Sequence, residues 1–445
     1  MSAHPPGRPN GHARAPGRRS ARIVLVLALA LLALLLALRF ALQPQRATQF
    51  LLQRVGATLG LEITATRAAE YQLRGTPMLV VRDVVAREPG AREPLLTADR
   101  ILLSLPWSTI RARGAVLSAE RLELDGPVLR LDALRHWLST RPPAEAPRLP
   151  TLTRGLAVRD AVIRGGTDSS GWRVAGLSID LPSLAPEAPL RGRVRGRYEV
   201  PPTRVPFELA VAMQRAAALV DATPTGLGVV GRIAVVGEDW RLPAHLRLSG
   251  PFLLDGGKAS ITPLTAGLGA QYESHDSHLP FALGVHGPLR FAEGVLSLAP
   301  VQLVANGRGQ PASADPIPDL HASGRMRLAG ELDLDLDGSV ARWPDAWPAL
   351  PAPLSRPRGP VDVSLDYRGP AGFDGIVHLQ ARHGGTDFDG RFRIAAITGW
   401  LDSDLATPLP PLDGSARTPL LEIAGARLEG VEVSVDDASI EGDTE

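Results

Sequence analysis

Cysteine is absent from this 445-residue sequence. The protein therefore has no disulfide, and no thiolate is available as a metal ligand or as a nucleophile. Lys258 is the only lysine, and aromatic residues make up only 4% of the chain. The apolar residues, 44% of the total, are mainly leucine, valine and alanine. Because 48 basic residues nearly balance 47 acidic ones, the composition gives no support to nucleic-acid binding.

Common enzyme motifs are also missing. The sequence has no GxxxxGK[ST] phosphate-binding loop, no HExxH zinc motif and no GxSxG nucleophile turn. The GGKA segment at 256–259 lacks both the upstream glycine and the hydroxyl residue that a phosphate-binding loop requires. No pair of carboxylates stands out as a general acid and base. We therefore predict that the protein is not an enzyme and has no cofactor, with an envelope hydrolase as the alternative.

One short segment collects metal-ligand residue types: Glu273, His275, Asp276 and His278. Side chains alternate along a strand, so His275 and His278 would point to opposite faces. A metal ion needs ligands that converge. We interpret the segment as a solvated loop or strand and predict no metal site; a metal site is the alternative.

The one long apolar run extends from Ile23 to Leu42 and contains a single charge, Arg39. About 20 helical residues at ~1.5 Å each cross a hydrocarbon core of ~30 Å. Arg39 lies one turn from the end, where its side chain can reach the headgroups. The run predicts a transmembrane anchor at residues 21–43. A signal peptide and a buried core helix are the alternatives.

The residues before the anchor predict its orientation. Five arginines and no acidic residue precede the apolar run, four of them in residues 1–20 and the fifth at Arg22, and positively charged flanks stay in the cytoplasm. Residues 1–20 are predicted to be a disordered cytoplasmic tail. The protein is then a single-pass protein of the bacterial inner membrane, and the bulk of the chain lies in the periplasm.

The remainder of the chain has the pattern of a β protein. Its 45 glycines and 41 prolines are spread between short segments in which apolar residues alternate with polar ones. Such spacing is typical of many short strands and turns, and the clearest example is Glu331 to Asp337. We predict a mainly β fold: a single N-terminal transmembrane helix, followed by an elongated, curved, largely antiparallel β-sheet groove with a few short helices.

Local signals predict several boundaries. Helical spacing at 46–60 ends at Gly60, and Asp132 is the expected N-cap of a helix that ends at Thr140. The Asp-Gly-Pro sequence at 125–127 predicts a turn after the strand that contains Leu122 and Leu124. A proline-rich segment at 141–150 divides residues 44–145 from a region of repeated strands at 146–445.

Such alternation gives a sheet one apolar and one polar face, and few helices are available to cover the apolar one. It must be covered by a second sheet, by closure of the sheet on itself, or by lipid. The candidate lipid-facing residues are Leu122, Leu124, Leu177, Ile179, Leu332, Leu334, Leu336, Val361, Val363 and Leu365.

The segment at 95–131, LLTADRILLSLPWSTIRARGAVLSAERLELDGPVLRL, resembles the amino-terminal part of the AsmA family of bacterial envelope proteins. The order of basic tail, anchor and short helix also matches that family. The segment at 412–439, LDGSARTPLLEIAGARLEGVEVSVDDAS, is similar in style to the family's closing repeat. The resemblance implies a chorein-like region at 44–145, a groove-shaped periplasmic sheet, and a role in outer-membrane biogenesis that includes passage of phospholipid.

The expected partners are the inner membrane, phospholipid acyl chains, and outer-membrane assembly or secretion proteins. The alternative function is structural: a component of an envelope machine, such as the N component of type II secretion, without lipid-transfer activity.

The topology is testable with alkaline phosphatase, which is active only when exported. A fusion after Thr140 should be active, because the positive flank holds the tail in the cytoplasm. Replacement of the five arginines before the apolar run by glutamate should weaken or scramble the orientation. A full-length but inactive fusion would contradict the assignment.

Overall fold

The structure is a computed structural model that describes residues 56–57, 60–72, 76–111, 118–140, 149–166, 171–274, 277–308, 317–341, 359–397, 411–423, 426–437 and 440. The predicted tail, the anchor at 21–43, most of the helix at 46–60, and His275 and Asp276 lie outside these residues. Within the ranges given, no helix is long and apolar enough to span a membrane.

The described chain is mainly β, as the alternation predicts. The strands are β1 (Glu62–Gln72), β2 (Met78–Arg87), β3 (Leu96–Ser104), β4 (Ser118–Ala119), β5 (Arg121–Asp125), β6 (Val128–Arg130), β7 (Thr151–Leu152), β8 (Leu156–Gly165), β9 (Trp172–Leu181), β10 (Leu190–Val200), β11 (Thr203–Met213), β12 (Thr225–Val236), β13 (Trp240–Asp255), β14 (Lys258–Ser274), β15 (Ser277–Ala292), β16 (Val295–Gly307), β17 (Leu320–Ala329), β18 (Glu331–Val340), β19 (Val361–Gly369), β20 (Ile376–His383), β21 (Thr386–Arg393), β22 (Asp413–Ile423) and β23 (Ala426–Val435). The helices of the described chain include α1 (Trp107–Arg111), α2 (Leu131–Ser139) and a 3₁₀ turn (Ala216–Leu219).

The predicted helix stop at Gly60 is confirmed. Gly60 has a φ of +60°, and the Leu61 amide donates to the Gly56 carbonyl at 2.8 Å. This hydrogen bond across a left-handed glycine is a common way to end a helix, because it satisfies a carbonyl that the helix leaves free.

The predicted N-cap at Asp132 is wrong. Helix α2 begins at Leu131, its N-cap is Arg130, and no side chain caps it. Strand β6 runs directly into the helix, which places Asp132 in the first turn. Its carboxylate instead accepts a hydrogen bond from the Gly166 amide at 3.0 Å, so the residue ties the helix to the end of β8.

One hydrogen-bonded sheet includes all strands except β4 and β7, which pair with each other in parallel. Strands β1, β2 and β3 form an antiparallel series, and β3 pairs with both β5 and β6. Strands β5 and β6 then pair in parallel with β8, after a crossover through α2. From β8 to β23 each strand is antiparallel to the next, so the larger part of the sheet is a simple meander.

The turn predicted at 125–127 is also wrong, because the chain does not reverse there. Strands β5 and β6 pair with β3 in one continuous register, Ile101 opposite Leu124 and Leu96 opposite Leu129. They are two parts of one strand, interrupted where Gly126 takes a φ of +58° and the following proline lacks an N–H. The interrupted ladder is held by the Gly126 amide, which donates to the Arg159 carbonyl at 2.9 Å.

Four neighbouring strands, β13 to β16, shift register along one line. The shifts fall at Gly-Pro or X-Pro steps that contain Pro251, Pro263, Pro288 and Pro300. Proline cannot donate to the ladder, so each step interrupts pairing. A buried cluster packs along this line: Ile261, Leu264, Leu298 and Val301.

Strands β3, β5 and β8 are joined by an ionic cluster around Glu123, which is only 9% exposed. Arg100 donates to Asp125 at 2.7 Å and to Glu123 at 3.2 Å, and Arg159 donates to Asp125 at 3.1 Å. Burial raises the pKa of Glu123, but hydrogen bonds from Arg121 and Arg100 outweigh burial and hold that pKa below its usual value. The cluster therefore stabilises the parallel pairing of β5 with β8 as long as its carboxylates are ionised.

Replacement of Glu123 by glutamine should lower the free energy of unfolding at neutral pH by about 1.5–3 kcal/mol, because arginine side chains lose a charged acceptor. The folded-state pKa of Glu123 lies below the unfolded value of about 4.3. Its stabilising effect is therefore complete above that value and is lost as the pH falls through the folded pKa. Denaturant titrations from pH 7 to pH 3 measure both effects.

Glu432→Gln is the matched control, since Glu432 pairs with Arg417 at 2.9 Å but is 57% exposed. This substitution should lower the free energy of unfolding by less than about 1 kcal/mol. Equal losses in the two variants, or a Glu123 effect that does not diminish as the pH falls below the unfolded pKa, would contradict the stabilising role of the cluster.

Candidate functional site

The most extensive feature of the sheet is a row of apolar residues that runs across the strands from β2 to β19. Each residue of the row is paired in register with the next one on the neighbouring strand. Paired residues point to the same side of a sheet, so the whole row shares one face. We call it the central row. Its members, from β2 to β19, are Val81, Ile101, Leu124, Val158, Ile179, Val194, Leu209, Gly231, Leu246, Leu268, Leu283, Ala305, Leu320, Val340 and Val361.

A second row lies two residues away on the same face and extends to the last strand. None of its members is polar. From β10 to β23 it consists of Gly192, Val211, Val229, Leu248, Ala266, Val285, Leu303, Ala322, Gly338, Val363, Ala381, Phe388, Ala416 and Val433. We call the surface formed by the two rows and their neighbours the apolar face.

The opposite side of the same strands is polar. On β10 it carries exposed arginines at 191, 193, 195 and 197. On β17 to β19 its charges pair across strands: Arg325 with Asp335 at 2.7 Å, and Arg368 with Asp333 at 3.1 Å. Cross-strand ion pairs on an exposed face add little stability, but they leave the polar face well solvated, whereas neither row of the apolar face contains a charged residue.

Exposure along the central row differs between its middle and its ends. Val81, Val340 and Val361 are buried, at 4%, 6% and 4% exposed. Every member between Ile101 and Leu320 is only half-buried. A second layer of protein would bury these aliphatic side chains fully, so the described residues leave the middle of the row open.

The two faces also differ in how closely neighbouring backbones approach. A Cβ added to Gly231, Gly324 or Gly338 on the apolar face would lie 2.1, 1.9 or 2.2 Å from a carbonyl oxygen of the next strand. A Cβ added to Gly228 or Gly267 on the polar face would meet no atom within 4 Å. The backbone is therefore crowded on the apolar side and open on the polar side.

The structure places all ten candidate residues on strands, and nine lie in regular alternation on the apolar face. Leu124, Ile179 and Val361 belong to the central row itself. Leu177 lies beside a bulge at Gly176, whose φ is +60°, and is paired with Ala161.

The candidates are not equally accessible. Leu332 and Leu334 are each 9% exposed and pack with Tyr367 and Val377 in a buried cluster. On β18 the predicted alternation is confirmed, with leucines on one side and Glu331 to Asp337 acids on the other. Leu334 is thus a core position, and half-buried residues such as Leu246 and Leu283 are better placed to meet a ligand.

A cavity of about 920 Å³ opens at one end of strands β11 to β15. Its lining combines apolar-face residues such as Phe207 and Phe281 with charged residues of the opposite alternation, Glu208, Arg232 and Arg308. Its size is in the range of small-molecule pockets. Phe207 and Phe281 each occupy an apolar position in a strand of alternating sequence. That periodicity does not distinguish a residue that lines a cavity from a residue of the core.

No group of three or more histidine, aspartate or glutamate residues is arranged to hold a metal ion in the part of the chain that the structure describes. Of the sequence cluster, Glu273 pairs with Arg241 at 3.0 Å, and His278 is exposed on β15. The two remaining members lie outside the described ranges.

The crowding of the apolar face predicts a difference between two glycines of β12. Gly231→Ala should lower the free energy of unfolding by about 1–3 kcal/mol, because the added methyl group collides with the backbone of β11. Gly228→Ala, on the other face of the same strand, should change stability by no more than about 0.5 kcal/mol. Thermal and denaturant unfolding compare them, and equal effects would contradict the difference between the faces.

Comparison with known proteins finds no match for this chain among protein-family models, curated proteins or solved structures. The most extensive apolar feature among the described residues is the central row, which crosses fifteen strands without a polar side chain.

Proposed function

We propose that the apolar face binds phospholipid acyl chains. In this proposal the protein is anchored in the bacterial inner membrane, its sheet lies in the periplasm, and it serves outer-membrane biogenesis by accommodating or conveying lipid. The observation that carries the proposal is the central row, which is unbroken, aliphatic and half-exposed along its middle.

The dimensions of the row suit acyl chains. Adjacent strands lie about 4.8 Å apart, so fifteen strands give a path of roughly 67 Å. One acyl chain spans about half of a ~30 Å hydrocarbon core. The row can therefore hold several acyl chains in succession, and each covered Å² of apolar surface contributes about 25 cal/mol.

The shape of the face supports the same proposal. Close backbone approach on one side and open space on the other is the expected geometry of a sheet that curves toward its crowded side. We infer that the apolar face is the concave one, which makes it a groove. A groove confines a flexible chain on three sides and leaves the headgroup free to stay in water.

The composition of the central row also favours lipid over a specific protein partner. Protein interfaces are enriched in aromatic residues and arginine that provide directional contacts. The central row has neither, since it consists of valine, isoleucine, leucine, alanine and one glycine. Aliphatic surface without polar groups imposes no fixed orientation, which suits acyl chains that slide.

A second candidate function is structural, as a component of an envelope machine such as the N component of type II secretion. One observation favours it: the cluster of Leu332, Leu334, Tyr367 and Val377 is closed by the protein's own side chains. In that case the half-buried middle of the row would be covered by another protein.

Photoreactive amino acids at positions 246 and 283 distinguish the two functions. Both residues belong to the central row and are half-buried, so we expect both to crosslink to lipid in the intact protein. Position 247 is the control, because Arg247 follows on the same strand and is exposed on the polar face. Mass spectrometry of the adducts identifies what was captured.

Lipid adducts at 246 and 283 but not at 247 would support the groove. Protein adducts at the two row positions would support the structural function instead. Equal lipid labelling at all three positions would indicate non-specific contact and would contradict the proposal.

A further inference from the structure

Aromatic side chains are concentrated at one end of strands β9 to β14. Trp172 and Tyr198 lie on neighbouring strands with ring centroids 5.9 Å apart. Trp240 and Tyr272 form a second pair, with centroids 6.1 Å apart. The chain has only seven tryptophans and four tyrosines, so four of the eleven meet at this border. We call these four residues the aromatic rim.

The aromatic rim borders the apolar face. Tyr198 follows Val194 of the central row by four residues, and Tyr272 follows Leu268 by four. Side chains at even separations on a strand share a face. The same strands end here, β10 at Val200 and β14 close beyond Tyr272. The rim therefore lies where the aliphatic surface meets the turns.

Part of this border is open to solvent. Tyr198 is 38% exposed, and Val200 beside it is 39% exposed. An apolar residue and an aromatic one that are both exposed at the mouth of an aliphatic surface have no covering layer within the described ranges. They extend the apolar face outward to the ends of the strands.

Several charged side chains at this end form ion pairs. Arg173 and Arg197 both donate to Glu199, and Arg241 pairs with Glu273 at 3.0 Å. These pairs lie on the polar side of the same strand ends. The exposed charges at this end that have no ion pair among the described residues are of both signs: Arg204, Glu238 and Asp239. Attraction to a strongly charged partner is therefore not the main property of this border.

We propose that the aromatic rim is the surface through which the protein contacts a phospholipid bilayer. Tryptophan and tyrosine favour the membrane–water interface, because each has an apolar body and a polar group that can remain hydrated. The inference rests on the proposed function, since contact at the rim would give acyl chains access to the apolar face. Because the charges near the rim are of both signs and form no basic patch, vesicles of phosphatidylcholine suffice, and we expect binding to depend little on salt.

The absence of cysteine permits a direct test with single labels on the full-length chain. The protein is placed in nanodiscs, which occupy its own anchor, and is mixed with separate phosphatidylcholine vesicles that carry a brominated quencher. An environment-sensitive fluorophore is attached at Val200→Cys or at Phe291→Cys. Both positions are 39% exposed, but Phe291 lies at the opposite end of the strands.

The label at position 200 should shift to shorter wavelength and be quenched when vesicles are added. The label at position 291 should not change. Equal responses at the two positions, or no response at position 200, would overturn the proposal. A response at 200 that requires anionic vesicles and disappears in salt would also overturn it, because it would assign the contact to charge.

Variants provide a second measurement. Trp240→Ala with Tyr272→Ala should weaken co-flotation with the vesicles by roughly tenfold, equivalent to about 1.4 kcal/mol. Phe291→Ala, the control, should leave it unchanged. If the double variant unfolds, as thermal melting would show, the labels at 200 and 291 in the otherwise intact chain decide the question.

The test separates the rim from the groove. Lipid crosslinks at 246 and 283 without a vesicle response at 200 would leave the proposed function in place and reject the rim. A vesicle response at 200 without lipid crosslinks in the central row would support the rim as a membrane contact and reject the groove.

Discussion

The register of the hydrogen-bonded ladder is the constraint on which the rest of the structure depends. A slip of one residue in any strand would move its apolar side chains to the polar face. The register shifts in β14 and β16 show how this is avoided: the apolar positions change from Leu264 to Ile261 and from Val301 to Leu298, three residues apart instead of two. Each bulge adds one residue, and the spacing of the apolar residues increases by one at the same place. The apolar face therefore remains continuous across the register shifts at Pro251, Pro263, Pro288 and Pro300.

Local periodicity is enough to predict which residues share a face, because alternation is a property of the single strand. The mainly β fold and the leucines of β18 follow from it. Local periodicity does not predict which distant segments pair with each other. The parallel joint of β5 and β6 with β8 and the burial of Glu123 depend on arginines from three strands, and nothing local distinguishes Glu123 from a solvated acid. Asp132 was misassigned as a cap for the same reason, since its partner Gly166 lies 34 residues away.

The candidate site was predictable in its chemistry but not in its accessibility. Leu332 and Leu334 have the clearest alternating pattern in the sequence, yet Tyr367 and Val377 cover them. The open part of the row passes through less regular strands, where glycines such as Gly231 reflect close approach of the neighbouring backbone. The sheet is closed by its own side chains near β18 and around Ile261 and Val301, whereas the central row is only half-buried between β3 and β17.

The most direct test of the account is the lipid content of the full-length protein, measured by native mass spectrometry after removal of detergent. The comparison is with Leu246→Arg/Leu283→Arg, which places two charges in the central row and leaves the predicted anchor unchanged. The account predicts that the unmodified protein retains phospholipid in excess of the variant, because an unpaired charge in an apolar groove is costly. Equal lipid in two folded proteins would contradict it.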